Sequence, residues 1–248
     1  MITIQCGDVF FENIEAVIFD KDGTLADSEN FWRMLGYKRS RAIDAQVPGV
    51  GDPLLMAFGI QEDILDPTGL MAVGSRSENE IAAAAYIAET GRGWVESLKI
   101  ARRAFEEADQ MFAPASHPSL FVGCLDVIKL LAEAGLKLGI LSADTTENVQ
   151  SFVSHYQLNN YIELQMGVDS ELSKPDPALF LKACDTIGVS PEATLMVGDS
   201  TADMEMAKQA GAAGFIAVCR GSLAGSNLQD ADVKISHLDQ IRAMSRVL

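Results

Sequence analysis

Strand-like apolar runs of four or five residues recur along this chain, and each stops on a polar residue. Ala16 to Phe19 ends at Asp20, Lys137 to Leu141 at Ser142, and Thr194 to Val197 at Gly198-Asp199. Short apolar runs bounded by turn residues read as buried strands. Helical patterns lie between them, at 123–134 (closed by Gly135), 146–156, 177–187 and 202–210. A weaker strand reads at 162–168, another at Phe215 to Val218, and a last one at 232–235. Strands alternating with helices argue for a parallel sheet with right-handed crossovers. The carboxyl ends of such strands share one edge, where open α/β sheets place their ligand crevice.

The segment after the first strand has a different character. Ser28 is placed as a helix N-cap, and 29–46 carries Phe31, Trp32, Leu35 and Ile43 among basic residues, an amphipathic pattern. Pro48 to Pro53 breaks it, and 54–60 reads as another short helix. Asp66 to Arg76 reads as a loop by its Pro and Gly content. Residues 78–89 are Ala-rich and helical, and 94–111 form a long helix with Trp94, Leu98, Ala101, Phe105 and Ala108 on one face. No strand is evident there, so residues 28–112 read as an all-helical insert of about 85 residues, within the usual size of a domain. Pro114 to Pro118 reads as the linker back, and 2–5 with 8–11 as an N-terminal hairpin around Cys6-Gly7-Asp8. The expected domains are therefore 1–27 with 113–248, and 28–112.

Composition narrows the function classes. A net charge of -16 repels nucleic-acid phosphates and anionic membranes, so neither is an expected partner. No apolar run approaches the roughly 20 residues of a membrane helix, and the N-terminus lacks the basic region of a signal peptide. The expected location is the cytoplasm, and the expected assembly a monomer or homodimer. Cys6, Cys124, Cys184 and Cys219 form no C-x-x-C pair and read as free thiols, and the three histidines show no zinc-ligand spacing.

Chemistry collects at the strand ends. Asp20 and Asp22 flank Lys21 and precede Gly23-Thr24; Ser142, Lys174, Asp199 and Asp203 follow on later segments. Two carboxylates this close repel each other unless a cation or a shared proton relieves them. Gly23 permits a tight turn that exposes backbone N–H groups to an anion. Several hard oxygen ligands suit Mg²⁺, which takes one or two carboxylates together with a substrate phosphate. A lysine offsets carboxylate charge and neutralises a phosphoryl oxygen. Together these groups point to phosphoryl transfer through a carboxylate nucleophile. Each also has a plainer reading: Lys174 as a surface lysine, Ser142 as a helix N-cap, Asp203 as a cap for the helix that follows it.

The motifs in their order resemble the haloacid dehalogenase (HAD) superfamily of hydrolases: D-K-D-G-T at 20–24, L-S at 141–142, S-K-P-D-P at 173–177 and G-D-S-T-A-D at 198–203. M-E-M-A-K-Q-A-G-A after the last motif is similar to the phosphoglycolate-phosphatase-like branch. The resemblance implies an α/β fold, a Rossmann-like (HAD-like) parallel-sheet core with an inserted helical cap of the C1 type. It implies a phosphatase of a small phosphorylated metabolite, with Mg²⁺ as cofactor. Asp20 is then the nucleophile, and Asp22 the acid that protonates the leaving oxygen and later activates water. Asp20, the main-chain carbonyl of Asp22 and Asp199 hold the metal, and Asp203 supports it through water. Gly23, Thr24, Ser142, Ala143 and Lys174 bind the phosphoryl group.

Asp22 separates the branches, because a halide leaves without a proton and an alkoxide does not. A phosphosugar mutase shares every core motif, and a binding protein that kept the site without turnover is the reading from another class. Asp144 departs from the family, whose second motif continues with an uncharged residue. A carboxylate beside a bound phosphate repels it, so Asp144 is expected to point away or to pair with a cation of the cap. In this family the cap covers the site and selects the substrate. Arg76 is the cap residue chosen here for a substrate carboxylate or second phosphate, with Arg33, Lys38, Arg39 and Arg41 as rivals.

Overall fold

The computed structural model describes residues 2–62, 64–112, 117–168, 172–220 and 227–245. Its contacts divide into two units, Met1–Asp27 with Ser119–Leu248, and Ser28–Pro118. The chain opens with β1 (Ile2–Cys6), β2 (Val9–Ile14), β3 (Ala16–Phe19) and the short β4 (Ala26–Asp27). The second unit holds α1 (Glu29–Asp44), α2 (Gly51–Phe58), β5 (Ile60–Gln61), β6 (Ile64–Leu65), α3 (Leu70–Val73), α4 (Arg76–Glu89) and α5 (Trp94–Phe112). The return brings β7 (Ser119–Leu120), α6 (Cys124–Glu133), β8 (Lys137–Leu141), α7 (Thr146–His155), β9 (Ile162–Met166) and α8 (Pro177–Ile187). It closes with β10 (Thr194–Gly198), α9 (Thr201–Gln209), β11 (Gly214–Val218), β12 (Val233–Ile235) and β13 (Ile241–Ser245).

Six strands form one parallel sheet in the order β12-β11-β10-β3-β8-β9. β3, β10 and β11 are buried along their whole length. That is why they read as unbroken apolar runs rather than alternating ones: a parallel sheet is covered on both faces. Val17 and Phe19 point into one core with α6 and α7, through Ile128, Leu131, Phe152 and Val153. Ala16 and Ile18 point into the other with α8 and α9, through Phe180, Ala183, Met206 and Ala207. Each fully buried large side chain contributes roughly 1.5–3 kcal/mol. The register sets Phe19 opposite Ile140 on one side and Val197 on the other, so the segments after these three strands emerge together.

The N-terminal hairpin is present, with longer strands than expected, and its Ile4, Cys6, Phe11 and Ile14 join the first core. β13 pairs with β1 to make a three-stranded sheet, a strand the sequence reading did not anticipate. All four cysteines are free thiols.

Among its described residues the second unit is helical save for one strand pair, β5 with β6, whose two-residue strands are too short to leave a pattern. Its core gathers Leu35, Ile43, Leu54, Phe58, Ile87 and Phe105. Two boundaries are corrected. α2 begins at Gly51, with Pro53 inside its first turn, where a missing N–H leaves no bond unmade. Asp66 to Arg76 is not all loop: α3 lies within it, and Arg76 opens α4. Ser75 and Glu78 form the capping box that starts α4, a signal present in the sequence and overridden by the nearby glycines. Among the described residues, no helix is long and apolar enough to cross a membrane.

Candidate active site

Asp20 follows β3 directly, and its backbone N–H donates to the Val197 carbonyl of β10 at 2.8 Å. The Gly23 N–H donates to the Ala26 carbonyl at 2.9 Å, closing a turn after the second aspartate. Gly23 has φ +79°, and a Cβ there would lie 2.0 Å from Asp199 Oδ2. Both facts require glycine at this position. Gly198 is required by proximity alone, since a Cβ would meet the Asp203 side chain at 2.7–2.8 Å.

Lys174 and the carboxylates converge across the sheet edge. Lys174 Nζ lies 2.5 Å from Asp20 Oδ1 and 2.6 Å from Asp203 Oδ1, with its side chain 5% exposed, so it is no surface lysine. It stands shortly before α8, whose start is set by Asp176 accepting from the Ala178 N–H and by Pro177 in the first turn. Asp203 serves as a cap as well: its Oδ2 accepts from the Ser200 hydroxyl at 2.6 Å, in a reciprocal capping box at the start of α9. Thr24 is buried and donates its hydroxyl to Asp199 Oδ1 at 3.1 Å. Ser142 is buried after β8, its N–H bonded to the Met166 carbonyl and its Oγ accepting from the Asp144 N–H. It does not cap α7; Thr145 does. Ala143 stands next to it, half-buried.

Carboxylate oxygens of Asp20, Asp199 and Asp203 lie within 4.8 Å of one another. Lys174 is the ammonium paired directly with two of them. Burial, opposed by Lys174 and reinforced by Asp203 and Asp22, pushes the Asp20 carboxyl up to about 7. Burial followed by the charges of Asp20 and Asp203 also raises Asp199 well above the ordinary carboxylate range. Burial by itself would lower the Lys174 ammonium, but Asp20 and Asp203 outweigh it and hold it raised. The cluster is thus short of positive charge, and its hard oxygens fit a divalent cation.

Two cations escaped the sequence reading. Lys21, 4% exposed, sits 2.7 Å from Asp22 Oδ2 and 3.2 Å from Asp144 Oδ2. Asp144 therefore pairs with a cation of its own α/β unit, not with one from the helical unit. The signal was present as two charged residues at motif positions, Lys21 and Asp144, but nothing in one sequence says that they meet. Arg220, just past β11, donates from Nη1 to the Gly23 and Thr24 carbonyls at 2.9 Å each and stacks on Phe121 at 3.5 Å. No sequence pattern marks it. Arg76 sits at the start of α4 with its guanidinium paired to Glu80 and Asp109 of the same unit. The rival Arg39 is buried, pairs with Asp109 and lies over the Phe105 ring.

A parallel sheet that gathers the buried Asp20 and Asp203, the half-buried Asp199, a lysine and a glycine turn at one edge defines a class, the Rossmann-like α/β proteins with an acidic cluster that fits a cation. The chain belongs to the haloacid dehalogenase-like hydrolases, whose family pattern matches residues 14–211. It is an enzyme of that family, and its relatives include phosphatases. It is 26% identical over 237 residues to the phosphoglycolate phosphatase of Pseudomonas putida, covering 92% of this chain and 77% of that protein. Its fold is similar to that of a Bacteroides fragilis protein described as a haloacid dehalogenase-like hydrolase, with TM-score 0.67, 25% identity, and coverage of 92% and 99%. It is also similar in fold to a Thermotoga maritima protein described as a β-phosphoglucomutase, with TM-score 0.60, 19% identity, and coverage of 90% and 94%.

Proposed function

We propose that this protein hydrolyses the monoester of a small phosphorylated metabolite, of the phosphoglycolate or sugar-phosphate kind, through a phosphorylated Asp20. The observation that carries the reading is the set of contacts around Asp20: Lys174 at 2.5 Å on one oxygen, with Asp199 and Asp203 within reach of one cation. Asp20, the main-chain carbonyl of Asp22, Asp199 and Asp203 would hold Mg²⁺. When bound, that ion neutralises charge on the phosphoryl oxygens and on the carboxylates themselves.

The chain's own groups do the rest. An Asp20 oxygen forms a bond to phosphorus as the bond from phosphorus to the ester oxygen breaks, and Asp22 gives its proton to the departing alkoxide. The Asp22 carboxylate then takes a proton from water as the water oxygen attacks phosphorus. The bond from phosphorus to Asp20 breaks, returning the free carboxylate and inorganic phosphate. Lys174, Ser142 and the N–H groups near Gly23 and Ala143 hold the phosphoryl oxygens. Thr24 acts through Asp199, to which it donates. Arg76 remains the residue of the helical unit proposed for substrate recognition, provided that it gives up a present partner to do so. The likeness to a mutase is one of fold, and among the described residues no contact in the site favours its reaction over hydrolysis.

Phosphate release from a panel of metabolite monophosphates, with Mg²⁺ and with chelator, tests the reading. Release that needs the metal and vanishes in Asp20→Asn is expected. Metal-independent release, or full activity in Asp20→Asn, would refute it.

A further inference from the structure

We propose that Lys21 is a positioning residue that decides which oxygen of Asp22 handles the proton, and that Asp144 holds Lys21 in place. The inference rests on the reading of Asp22 as acid and base given above. A carboxyl group that moves a proton must keep one oxygen available while the other is restrained. With both oxygens tied it cannot transfer, and with neither tied it rotates away from the reacting atom.

Asp22 is arranged in that way. Its Oδ2 is held by Lys21 Nζ at 2.7 Å. Its Oδ1 is buried and has no hydrogen-bond partner among the described residues. A buried acceptor left unpaired is costly, and in a native site it calls for a reason. The reason here is that Oδ1 is the oxygen that meets the leaving alkoxide and, afterwards, the attacking water.

Lys21 is itself restrained. Its side chain is 4% exposed, its ammonium lies 3.2 Å from Asp144 Oδ2, and it packs 5.7 Å from the centre of the Phe152 ring. Asp144 is fixed in turn, since its Oδ1 accepts from the Thr145 N–H at 2.8 Å and from the Asn148 side-chain amide at 2.7 Å. The chain of contacts runs from the start of α7 through Asp144 and Lys21 to Asp22. It explains why an acidic residue is tolerated two positions after Ser142: the Lys21 charge lies between that acid and Asp22.

The test compares release of the leaving group in the first turnover from n-propyl phosphate, whose alkoxide needs a proton, and from p-nitrophenyl phosphate, whose phenolate needs little. Wild type, Asp22→Asn, Lys21→Met and Asp144→Asn are compared in Mg²⁺. Lys21→Met is expected to slow the propyl ester by about 10²-fold, the usual cost of a displaced catalytic group, and the nitrophenyl ester far less, with KM little changed. Asp144→Asn keeps the direct pair and is expected to show the same selective loss at smaller size. It serves as the probe if Lys21→Met fails to fold. Equal losses on both esters, or no selective loss in either variant while Asp22→Asn shows one, would overturn the inference. If Asp22→Asn itself shows no selective loss, the acid assignment falls and takes this inference with it.

Discussion

Supplying a divalent ion should stabilise the α/β unit, and by more at pH 8 than at pH 5. Asp20 ionises at about 7 in the folded chain against 3.8 for an unperturbed group, mainly through burial. Between those values the folded state keeps a proton that the unfolded state has released. Metal-free stability therefore declines as pH rises through that window and levels off above it. The full decline from Asp20 amounts to up to about 4 kcal/mol. Asp199 is raised as well and acts in the same direction.

A bound cation takes the place of the proton, so it gains most where the carboxylates are already ionised. At pH 8 and 100 times its apparent dissociation constant, Mg²⁺ contributes about 2.7 kcal/mol, or a shift of about 5–10 °C in melting temperature for a unit of this size. At pH 5 the same concentration must displace protons, and the shift shrinks toward zero. Thermal unfolding followed in Mg²⁺ and in chelator at both pH values, with Asp199→Asn as control, measures this. Equal shifts at the two pH values, or an undiminished shift in Asp199→Asn, would show that the acidic cluster is not the site that binds the ion.

Four substitutions test other parts of the account. Gly23→Ala places a Cβ 2.0 Å from Asp199 Oδ2 at φ +79°, so it should cost at least about 1–2 kcal/mol in backbone strain and weaken metal affinity, read by calorimetry. Ser200→Ala removes the hydroxyl that caps α9 and restrains Asp203, and should lower stability by about 1 kcal/mol in denaturant titration. Arg39→Ala breaks a pair in which the arginine is buried and should destabilise the helical unit by about 3 kcal/mol, whereas Arg103→Ala, from an exposed helical pair, should cost about 0.5 kcal/mol or less. Similar losses for these two arginines would contradict the burial argument.

The parallel sheet and the residues of the candidate site at its edge were legible for one reason. A strand covered on both faces must be apolar throughout, and the first polar residue after it must emerge at the sheet edge. Asp20, Ser142 and Asp199 were therefore placed by pattern alone, and the glycine after Asp22 by the turn it must make. Short or late elements were less legible: β5 and β6 are two residues each, and β13 lies at the far end of the chain from the β1 edge it completes. The loop read across Arg76 failed because glycines outweighed a valid capping box.

Local patterning thus determined which segments are strands and helices and which polar residues stand at the strand ends, because burial imposes a period on the sequence. Which charges neutralise which was decided only by tertiary structure. Lys21 meets Asp144, Lys174 reaches Asp20 across 154 positions, and Arg220 holds carbonyls 196 and 197 positions away. Coulomb attraction acts through space and leaves no spacing rule along the chain, so those partners appear only once the sheet has brought its edges together.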